Sequence, residues 1–234
     1  MNGGSLASLL ESKDQQNILN WNEKIEILEN VANALCDMHS RTPPIIHRDI
    51  KPENILLFTK NGEWVAKLAD FGISKSLKES QANTSIGSHG WASPEVFKGE
   101  YYGTSADIFS FGIVMWQMLL NQPKPFILNK DEDYRDSQIQ LIQGERPIIP
   151  NLNEIEQVQQ VQVKNNSQSI KKKQKEKKKA ELLDYNNLLE PSIRNDLKEN
   201  IGIYVSLMQK CWSQYPASRP SGNEIIALLR QSYI

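Results

Sequence analysis

Cysteine is scarce in this sequence of 234 residues, which contains only Cys36 and Cys211. The two lie far apart, and neither belongs to a C-x-x-C pair. Small secreted domains depend on several disulfides, and cysteine-based zinc sites need their ligands at close spacing. The sequence therefore excludes a disulfide framework and a cysteine-based zinc site, and it favours a reducing compartment.

Long hydrophobic runs are also missing. The most apolar stretch, Ile108 to Leu120, is too short to cross a bilayer and contains Ser110 and Gln117. We expect it to form a buried helix, and we expect no contact with a membrane. Because no basic region followed by an apolar block opens the sequence, we expect no secretory signal and a cytoplasmic protein.

Charge of one sign is not in excess, because the sequence has 27 basic and 28 acidic residues and a net charge of -1. No overall field therefore favours nucleic acid or anionic lipid. The local exception is Lys171 to Lys179, with seven lysines and one glutamate. It lies in a stretch rich in Gln, Asn and Lys, at about 154–180, which low complexity predicts to be a disordered insertion. A nuclear-localisation or nucleic-acid role for the run is the weaker interpretation, because no aromatic residue is there to stack on a base.

Hydrophobic periodicity predicts several helices and one hairpin. Apolar residues recur at spacings of three and four from Trp21 to about Ser40, after a possible capping box of Asn20 and Glu23. Two short apolar runs flank Asn61-Gly62, a typical hairpin turn. Further helices are predicted over Ser105–Leu120, Ile193–Trp212 and Gly222–Arg230.

Three short motifs follow one another along the chain. They are residues 47–54 (HRDIKPEN), residues 70–72 (DFG) and residues 93–95 (SPE). Their order matches the H-R-D-x-K-x-x-N, D-F-G and A-P-E signatures of protein kinases, with Ser93 in place of alanine. Each motif alone is weak, but an ordered set with a hairpin between the first two leaves coincidence as a minor explanation. The sequence therefore resembles the protein kinases.

This resemblance implies an α+β, protein-kinase-like fold. It implies the mainly α-helical C-terminal (large) lobe, with a few short antiparallel strands around the catalytic loop, over residues 1–234 and with the insertion at about 154–180. A complete kinase also has a small lobe that carries a Gly-rich loop, a strand lysine and a helix glutamate. None of the 12 glycines falls in a G-x-G-x-x-G pattern, so we expect the small lobe to be absent from this chain.

The resemblance also implies the residues of a phosphoryl-transfer site that uses ATP and Mg²⁺. Asp49 would accept the substrate's hydroxyl proton, and Lys51 would neutralise charge on the transferring phosphoryl group. Asn54 and Asp70 would hold Mg²⁺, and Leu56 would touch the adenine. A lone loop Asp usually shapes a turn and a lone Lys is usually solvated, but the joint motif favours the catalytic interpretation.

Other residues have structural or regulatory roles by the same resemblance. Asp107 would hydrogen-bond the backbone of the catalytic loop, although a helix N-cap would suit the same residue. Arg219 would pair with Glu95, and Ser88 would stand where such kinases have a Thr that contacts the catalytic Asp. The remaining residues of this kind are His47, Phe71 and Gly72 of the motifs, and Arg48, which would meet a phosphate on Ser80, Thr84 or Ser85.

Two functions stay open at this point. The first is a serine/threonine kinase, incomplete in this chain, that acts on protein substrates; Lys51 favours this specificity by family pattern. The pairs Cys211-Trp212 and Arg219-Pro220 make the sequence most similar to tyrosine-kinase-like kinases, and residues 87–91 and 107–110 resemble the stress-sensor kinases. The second is an inert, pseudokinase-like module that docks a partner kinase or another protein. Intact metal ligands favour the first, because a scaffold has no physical need for them.

Overall fold

A computed structural model describes residues 4–12, 19–70, 75–76 (backbone only), 90–124, 139–147, 149 and 198–233. The predicted insertion at about 154–180 lies outside these ranges. The strands form two antiparallel pairs, β1 with β4 and β2 with β3, beside a larger set of helices, so the α+β prediction is confirmed. The elements are α1 (Leu6–Glu11), α2 (Trp21–His39), β1 (Ile45–Ile46), a 3₁₀ helix (Pro52–Asn54), β2 (Ile55–Lys60), β3 (Glu63–Leu68), β4 (Lys75–Ser76), α3 (Pro94–Phe97), α4 (Ser105–Leu120), α5 (Lys198–Cys211), a second 3₁₀ helix (Pro216–Ser218) and α6 (Gly222–Arg230).

Helix α2 begins at the predicted capping box. The Asn20 side chain accepts the Glu23 N–H at 3.0 Å, and the Glu23 carboxylate accepts the Asn20 N–H at 2.7 Å. This exchange satisfies two donors that a helix start leaves without an intrahelical partner. The apolar residues that recur at spacings of three and four are fully buried, namely Ile25, Leu28, Val31, Ala32 and Leu35. The predicted amphipathic helix is therefore confirmed, with its end at His39.

Strands β2 and β3 form the predicted hairpin. Asn61 and Gly62 have φ values of +54° and +88°. Positive φ at both central residues is what a two-residue type I′ turn requires. The residues Ile55 and Leu57 of β2 are fully buried, whereas the alternate residues of that strand are not, because side chains of a strand alternate between its two faces.

Both edges of the hairpin are covered by other parts of the chain. On the β3 side, Asn30 Oδ1 of α2 accepts the Ala66 N–H at 3.3 Å. On the β2 side, the Gly4 carbonyl accepts the Leu57 N–H at 2.9 Å. Uncovered strand edges are free to pair with other chains. These contacts instead fix the hairpin against α2 and α1, and with it the loops that precede β2 and follow β3.

Helix α4 occupies the centre of the core. Every residue from Ala106 to Leu120 is buried, as expected of a helix that is apolar on all sides. At Gly112 it approaches α5 so closely that an added Cβ would lie 2.9 Å from Cys211 Cβ. The Tyr204 hydroxyl of α5 donates to the Met115 carbonyl at 2.7 Å. The predicted buried helix is confirmed, and none of the described helices is both long and apolar enough to span a membrane.

The last two helices close the core. The predicted start of α5 at Ile193 falls outside the described residues, while α6 has the predicted bounds. An added Cβ at Gly222 of α6 would lie 2.8 Å from Cys36 Cβ of α2. The Trp21 indole N–H donates to the Ser232 carbonyl at 2.8 Å. The end of the described chain is therefore packed onto α2.

Replacement of Gly112 by alanine should destabilise the protein by about 1–3 kcal/mol, because the new methyl group must displace Cys211 or α5. The matched control is Gly202→Ala in α5, where nothing lies within 4 Å of the added Cβ. There we expect no loss, and a gain of up to about 1 kcal/mol from helix propensity. Urea unfolding measures both. Equal stability of the Gly112 variant and wild type would contradict the close helix contact.

Glu26→Gln tests the charge environment of α2. Partial burial and the neighbouring carboxylates of Glu63, Glu23 and Glu29 raise the pKa of Glu26. A raised folded-state pKa means that ionised Glu26 disfavours folding, so the stability it contributes when protonated is lost as pH rises through that pKa. The variant keeps the size and shape of the side chain and removes only its charge. It should therefore have a higher unfolding midpoint than wild type at pH 7, and the difference should shrink toward pH 4. A difference that does not depend on pH would contradict this account.

Candidate active site

One buried carboxylate fixes the loop 47–54 to helix α4. Asp107 accepts the His47 N–H at Oδ2 and the Arg48 N–H at Oδ1, both at 2.8 Å. The N-cap of α4 is Thr104, so the alternative that Asp107 caps this helix is wrong. Asp107 instead faces the loop 47–54, and the contact implied by the resemblance is present.

His39 is a third donor to the same carboxylate. Its Nε2 lies 2.9 Å from Asp107 Oδ2, and the side chain is 12% exposed. Because His39 is the last residue of α2, the end of this helix, the start of α4 and the loop 47–54 meet at one group. Sequence reasoning did not find His39, since nothing in the local pattern links residues 68 positions apart.

His47 joins the loop to the residue that precedes Asp70. It is fully buried, and its Nε2 lies 3.0 Å from the Ala69 carbonyl oxygen. Its Nδ1 accepts the Asp49 N–H at 3.4 Å. A neutral imidazole with its hydrogen on Nε2 satisfies both contacts. The backbone of Asp49 is thus tied to the strand end that leads into Asp70.

The carboxylate of Asp49 is held by two side chains from the same motif. Its Oδ2 lies 2.8 Å from Lys51 Nζ and 2.9 Å from Asn54 Nδ2. Asn54 Nδ2 also donates to the Asp49 carbonyl at 2.8 Å. The side chains of Asp49 and Lys51 are 10% and 21% exposed. A carboxylate and a cation therefore meet at a point that solvent can reach.

A backbone hydrogen bond brings Asn54 next to the residue that precedes Asp70. The Ala69 N–H donates to the Asn54 carbonyl at 2.9 Å, so Asp70 follows directly on a residue bonded to Asn54. Asp70 is exposed and has a φ of +62°. Left-handed backbone at a residue other than glycine costs free energy and is often found at functional sites.

The oxygen atoms of these two side chains suit a divalent cation. Since Asn54 Nδ2 faces Asp49, its Oδ1 is the atom that can bind a cation, together with the Asp70 carboxylate. Mg²⁺ takes such oxygen ligands and usually completes its shell with substrate phosphates and water. In the described ranges there is no group of three or more His, Cys, Asp or Glu that could hold a metal ion by itself. The residues fit a cation that is shared with phosphates.

Leu56 is the one apolar candidate of the site. It is half-buried, between the fully buried Ile55 and Leu57, so its side chain lies on the opposite face of β2. Ser5, at the start of α1, forms an isolated antiparallel bridge with Leu56. An apolar side chain is therefore available on the face of the hairpin that is turned away from the core.

Arg48 contacts a residue that the motifs did not indicate. Its Nη2 donates to the Tyr102 hydroxyl, and its Cζ lies 5.1 Å from the centroid of the Tyr102 ring. Both residues are buried, with 8% and 6% of their surface exposed. No local pattern could have identified Tyr102, which lies 54 positions further along the chain.

Glu95 and Arg219 form the ion pair that the resemblance implied. Arg219 Nη1 lies 2.5 Å from Glu95 Oε1, and Nη2 lies 2.9 Å from Oε2. Burial acts to raise the pKa of Glu95, but the hydrogen bonds and the charge of Arg219 outweigh it, so that the pKa is lowered. Arg219 also donates to the Ser105 carbonyl at 3.0 Å. The pair therefore fixes the segment of residues 93–97 to the start of α4.

A second, half-buried arginine lies on the same side of α4. Arg146 and Arg219 have their guanidinium carbons 5.2 and 5.0 Å from the centroid of the Phe109 ring. Arg146 donates to the Trp212 carbonyl at 2.8 Å and to Gln214 Oε1 at 2.7 Å. Burial lowers the pKa of Arg146 to about 10, so it stays charged at neutral pH. Sequence reasoning did not find Arg146, because its partners are distant in the chain.

Several predicted residues lie outside the described ranges. These are Phe71, Gly72 and Ser88, together with the hydroxyl residues Ser80, Thr84 and Ser85. Their roles stay predictions.

Comparison with known proteins gives one family over the whole chain. The model of the protein kinase domain matches residues 1–234. A protein of Acanthamoeba polyphaga mimivirus, named as a serine/threonine-protein kinase/receptor, is 40% identical over 132 residues, which cover 56% of this chain and 8% of that protein. The Dictyostelium discoideum protein roco8, named as a serine/threonine-protein kinase, is 29% identical over 99% of this chain and 10% of its own length. Cyclic GMP-binding protein C of the same organism is 29% identical over 97% of this chain and 7% of its own length.

This chain belongs to the protein kinase family. It spans about a tenth or less of the length of these three relatives. The family generally uses ATP and Mg²⁺ and acts on proteins.

Asp107→Asn should destabilise the protein by about 2–4 kcal/mol. The amide group that replaces one carboxylate oxygen would face an N–H donor and leave it without an acceptor in a buried place. The control is Asp37→Asn on α2, whose side chain is 76% exposed and pairs only with exposed Arg41 in the described part of the chain; we expect less than about 0.5 kcal/mol there. Denaturant unfolding measures both variants. Equal losses at the two positions would contradict the anchoring role of Asp107.

Proposed function

We propose that this chain is the large lobe of a serine/threonine protein kinase, which transfers the γ-phosphoryl group of ATP to a hydroxyl of a protein substrate. The observation that carries the proposal is the placement of the Asp49 carboxylate between Lys51 Nζ and Asn54 Nδ2, at 2.8 and 2.9 Å. Two features support it: the match to the protein kinase domain over residues 1–234, and relatives named as serine/threonine kinases.

Asp49 is the proton acceptor in this proposal. A hydroxyl group is a weak nucleophile until a base orients it and accepts its proton, and an ionised carboxylate within hydrogen-bond reach can do both. Asn54 fixes the carboxylate by donating to it, and His47 accepts the backbone N–H of Asp49. The carboxylate is thus oriented before a substrate arrives.

Lys51 supplies the positive charge beside Asp49. Its ammonium nitrogen lies 2.8 Å from Asp49 Oδ2. In the proposed reaction its ammonium group neutralises charge on the transferring phosphoryl group, because charge on the phosphoryl oxygens must be balanced in the transition state. Partial exposure of the Lys51 side chain leaves it room to reach a phosphate.

Asn54 and Asp70 would hold Mg²⁺ in the proposed site, through Asn54 Oδ1 and the Asp70 carboxylate. The ion would supply charge neutralisation at the nucleotide phosphates. Leu56, on the outer face of β2, would lie under the adenine ring. The proposed ligands thus belong to the loop before β2, to β2 itself and to the loop after β3.

The specificity and the subfamily are part of the proposal. Lys51 in the catalytic loop supports serine/threonine specificity by family pattern. The pairs Cys211-Trp212 and Arg219-Pro220 support a place among the tyrosine-kinase-like kinases. The Gly-rich loop and strand lysine that a kinase cleft also needs are not found in residues 1–234, which supports the assignment of these residues to the large lobe.

Asp49→Asn in the intact protein that contains these residues should lower kcat for peptide phosphorylation at least about 100-fold, because asparagine cannot accept the proton. Its folding should be retained, since the Asn54 contact needs only the oxygen. The exposed Asp37→Asn variant is the matched control and should keep the wild-type kcat. Radiolabelled phosphate transfer from ATP measures the rates.

Thermal unfolding with ATP and Mg²⁺ separates the two functions left open by the sequence. Binding to the folded state raises the unfolding midpoint, and we expect that rise in wild type and in the Asp49 variant when Mg²⁺ is present. Turnover by Asp49→Asn at the wild-type rate would overturn the role of Asp49. If wild type shows neither phosphoryl transfer nor Mg²⁺-dependent protection, the docking function is favoured instead.

A further inference from the structure

The ring of Tyr102 is fixed by packing. Its ring packs with Ala92, Val96 and Ala106 in a small apolar cluster, separate from the main core. This cluster joins the segment 92–97 to the first turn of α4. A tyrosine whose ring is fixed in this way presents its hydroxyl at a defined point, because the side chain has only two rotatable bonds.

That hydroxyl meets the guanidinium of Arg48. The Arg48 backbone has a φ of +76°, and its N–H is held by Asp107 at 2.8 Å. A residue other than glycine keeps a positive φ only when its surroundings determine it. Arg48 is thus fixed at its backbone by Asp107 and at its side chain by Tyr102, directly before Asp49.

The space beside this contact is small. A cavity of about 10 Å³ is lined by residues that include Arg48, Ser93, Tyr102, Asp107 and Ser110. Such a volume is enough for about one water molecule and too small for a phosphate group. On this side the Arg48 guanidinium therefore meets the Tyr102 hydroxyl, and the remaining space does not admit a phosphate.

We propose that Tyr102 is a positioning residue for Asp49. Its hydroxyl holds the Arg48 guanidinium, and through Arg48 it holds the backbone of the catalytic loop, without a phosphate on residues 71–89. This proposal rests on the proposed kinase function for its effect on catalysis, but not for its effect on the loop itself.

The experiment uses the intact protein with Tyr102→Phe, which removes only the hydroxyl. Hydrogen exchange read by mass spectrometry should show faster exchange in peptides that contain residues 48–50, by about tenfold, the effect of losing one hydrogen bond to a charged group. Peptides from α6 should be unchanged. The matched control is Tyr101→Phe, because Tyr101 is its neighbour but is 65% exposed; it should exchange as wild type does.

Kinetics after phosphatase treatment supply the second readout. Dephosphorylated wild type should keep its kcat, whereas dephosphorylated Tyr102→Phe should lose about tenfold in kcat, with the KM values for ATP and peptide within about twofold of wild type. A purely structural role would lower the unfolding midpoint without this split between kcat and KM.

Three results would overturn the proposal: unchanged exchange at residues 48–50, the same change in Tyr101→Phe, or loss of kcat in dephosphorylated wild type. If wild type shows no phosphoryl transfer at all, the proposed function fails, and the exchange measurement alone decides the role of Tyr102.

Discussion

The Asp107 carboxylate is the group on which the rest of the site depends. It is 1% exposed, and burial of a charge is costly unless hydrogen bonds compensate for lost water. Three N–H donors do so, from His47, Arg48 and His39. Because these donors come from α2 and from the loop before β2, the carboxylate sets the position of that loop relative to both long helices. The contacts of Asp49 follow from this placement.

The second contact that is attached to α4 is the ion pair of Glu95 and Arg219. Glu95 balances Arg219 in a two-point contact, while Arg146 is held by neutral acceptors, the Trp212 carbonyl and Gln214 among them. The Glu95 carboxylate thus lies in a region with one buried guanidinium group, that of Arg219, and one half-buried group, that of Arg146. The ring of Phe109 lies about 5 Å from both. Removal of the Glu95 charge would leave the buried Arg219 guanidinium without this counter-charge, and the hydrogen bonds and charge of Arg219 lower the pKa of Glu95 despite burial.

The anchors and the reactive groups differ in exposure for a physical reason. Asp107, Glu95 and Arg219 are buried, where hydrogen bonds are strong and geometry is rigid. Asp49, Lys51 and Asp70 retain contact with solvent, as the proposed function requires of groups that exchange protons or bind phosphates. In the described part of the chain, the Asp107 carboxylate belongs to α4, and the Glu95 carboxylate is linked to the start of α4 through Arg219. The position of the exposed site therefore depends on the most buried helix.

The sequence alone determined the local elements and the short-range part of the site. The capping box of α2, the Asn61-Gly62 hairpin and the apolar helix α4 follow from residues within a few positions of one another. The contacts among Asp49, Lys51 and Asn54 are also local, and a motif of eight residues contains them.

Only the tertiary structure decided which distant groups meet. His39 and Tyr102 contact the loop from 68 and 54 positions away, and Arg146 reaches Trp212 across 66. Hydrophobic periodicity sets which face of a helix is buried, but not which polar side chain of another element arrives there. The partner is chosen by how α2, α4 and α5 pack, and close approaches such as that at Gly112 determine this packing.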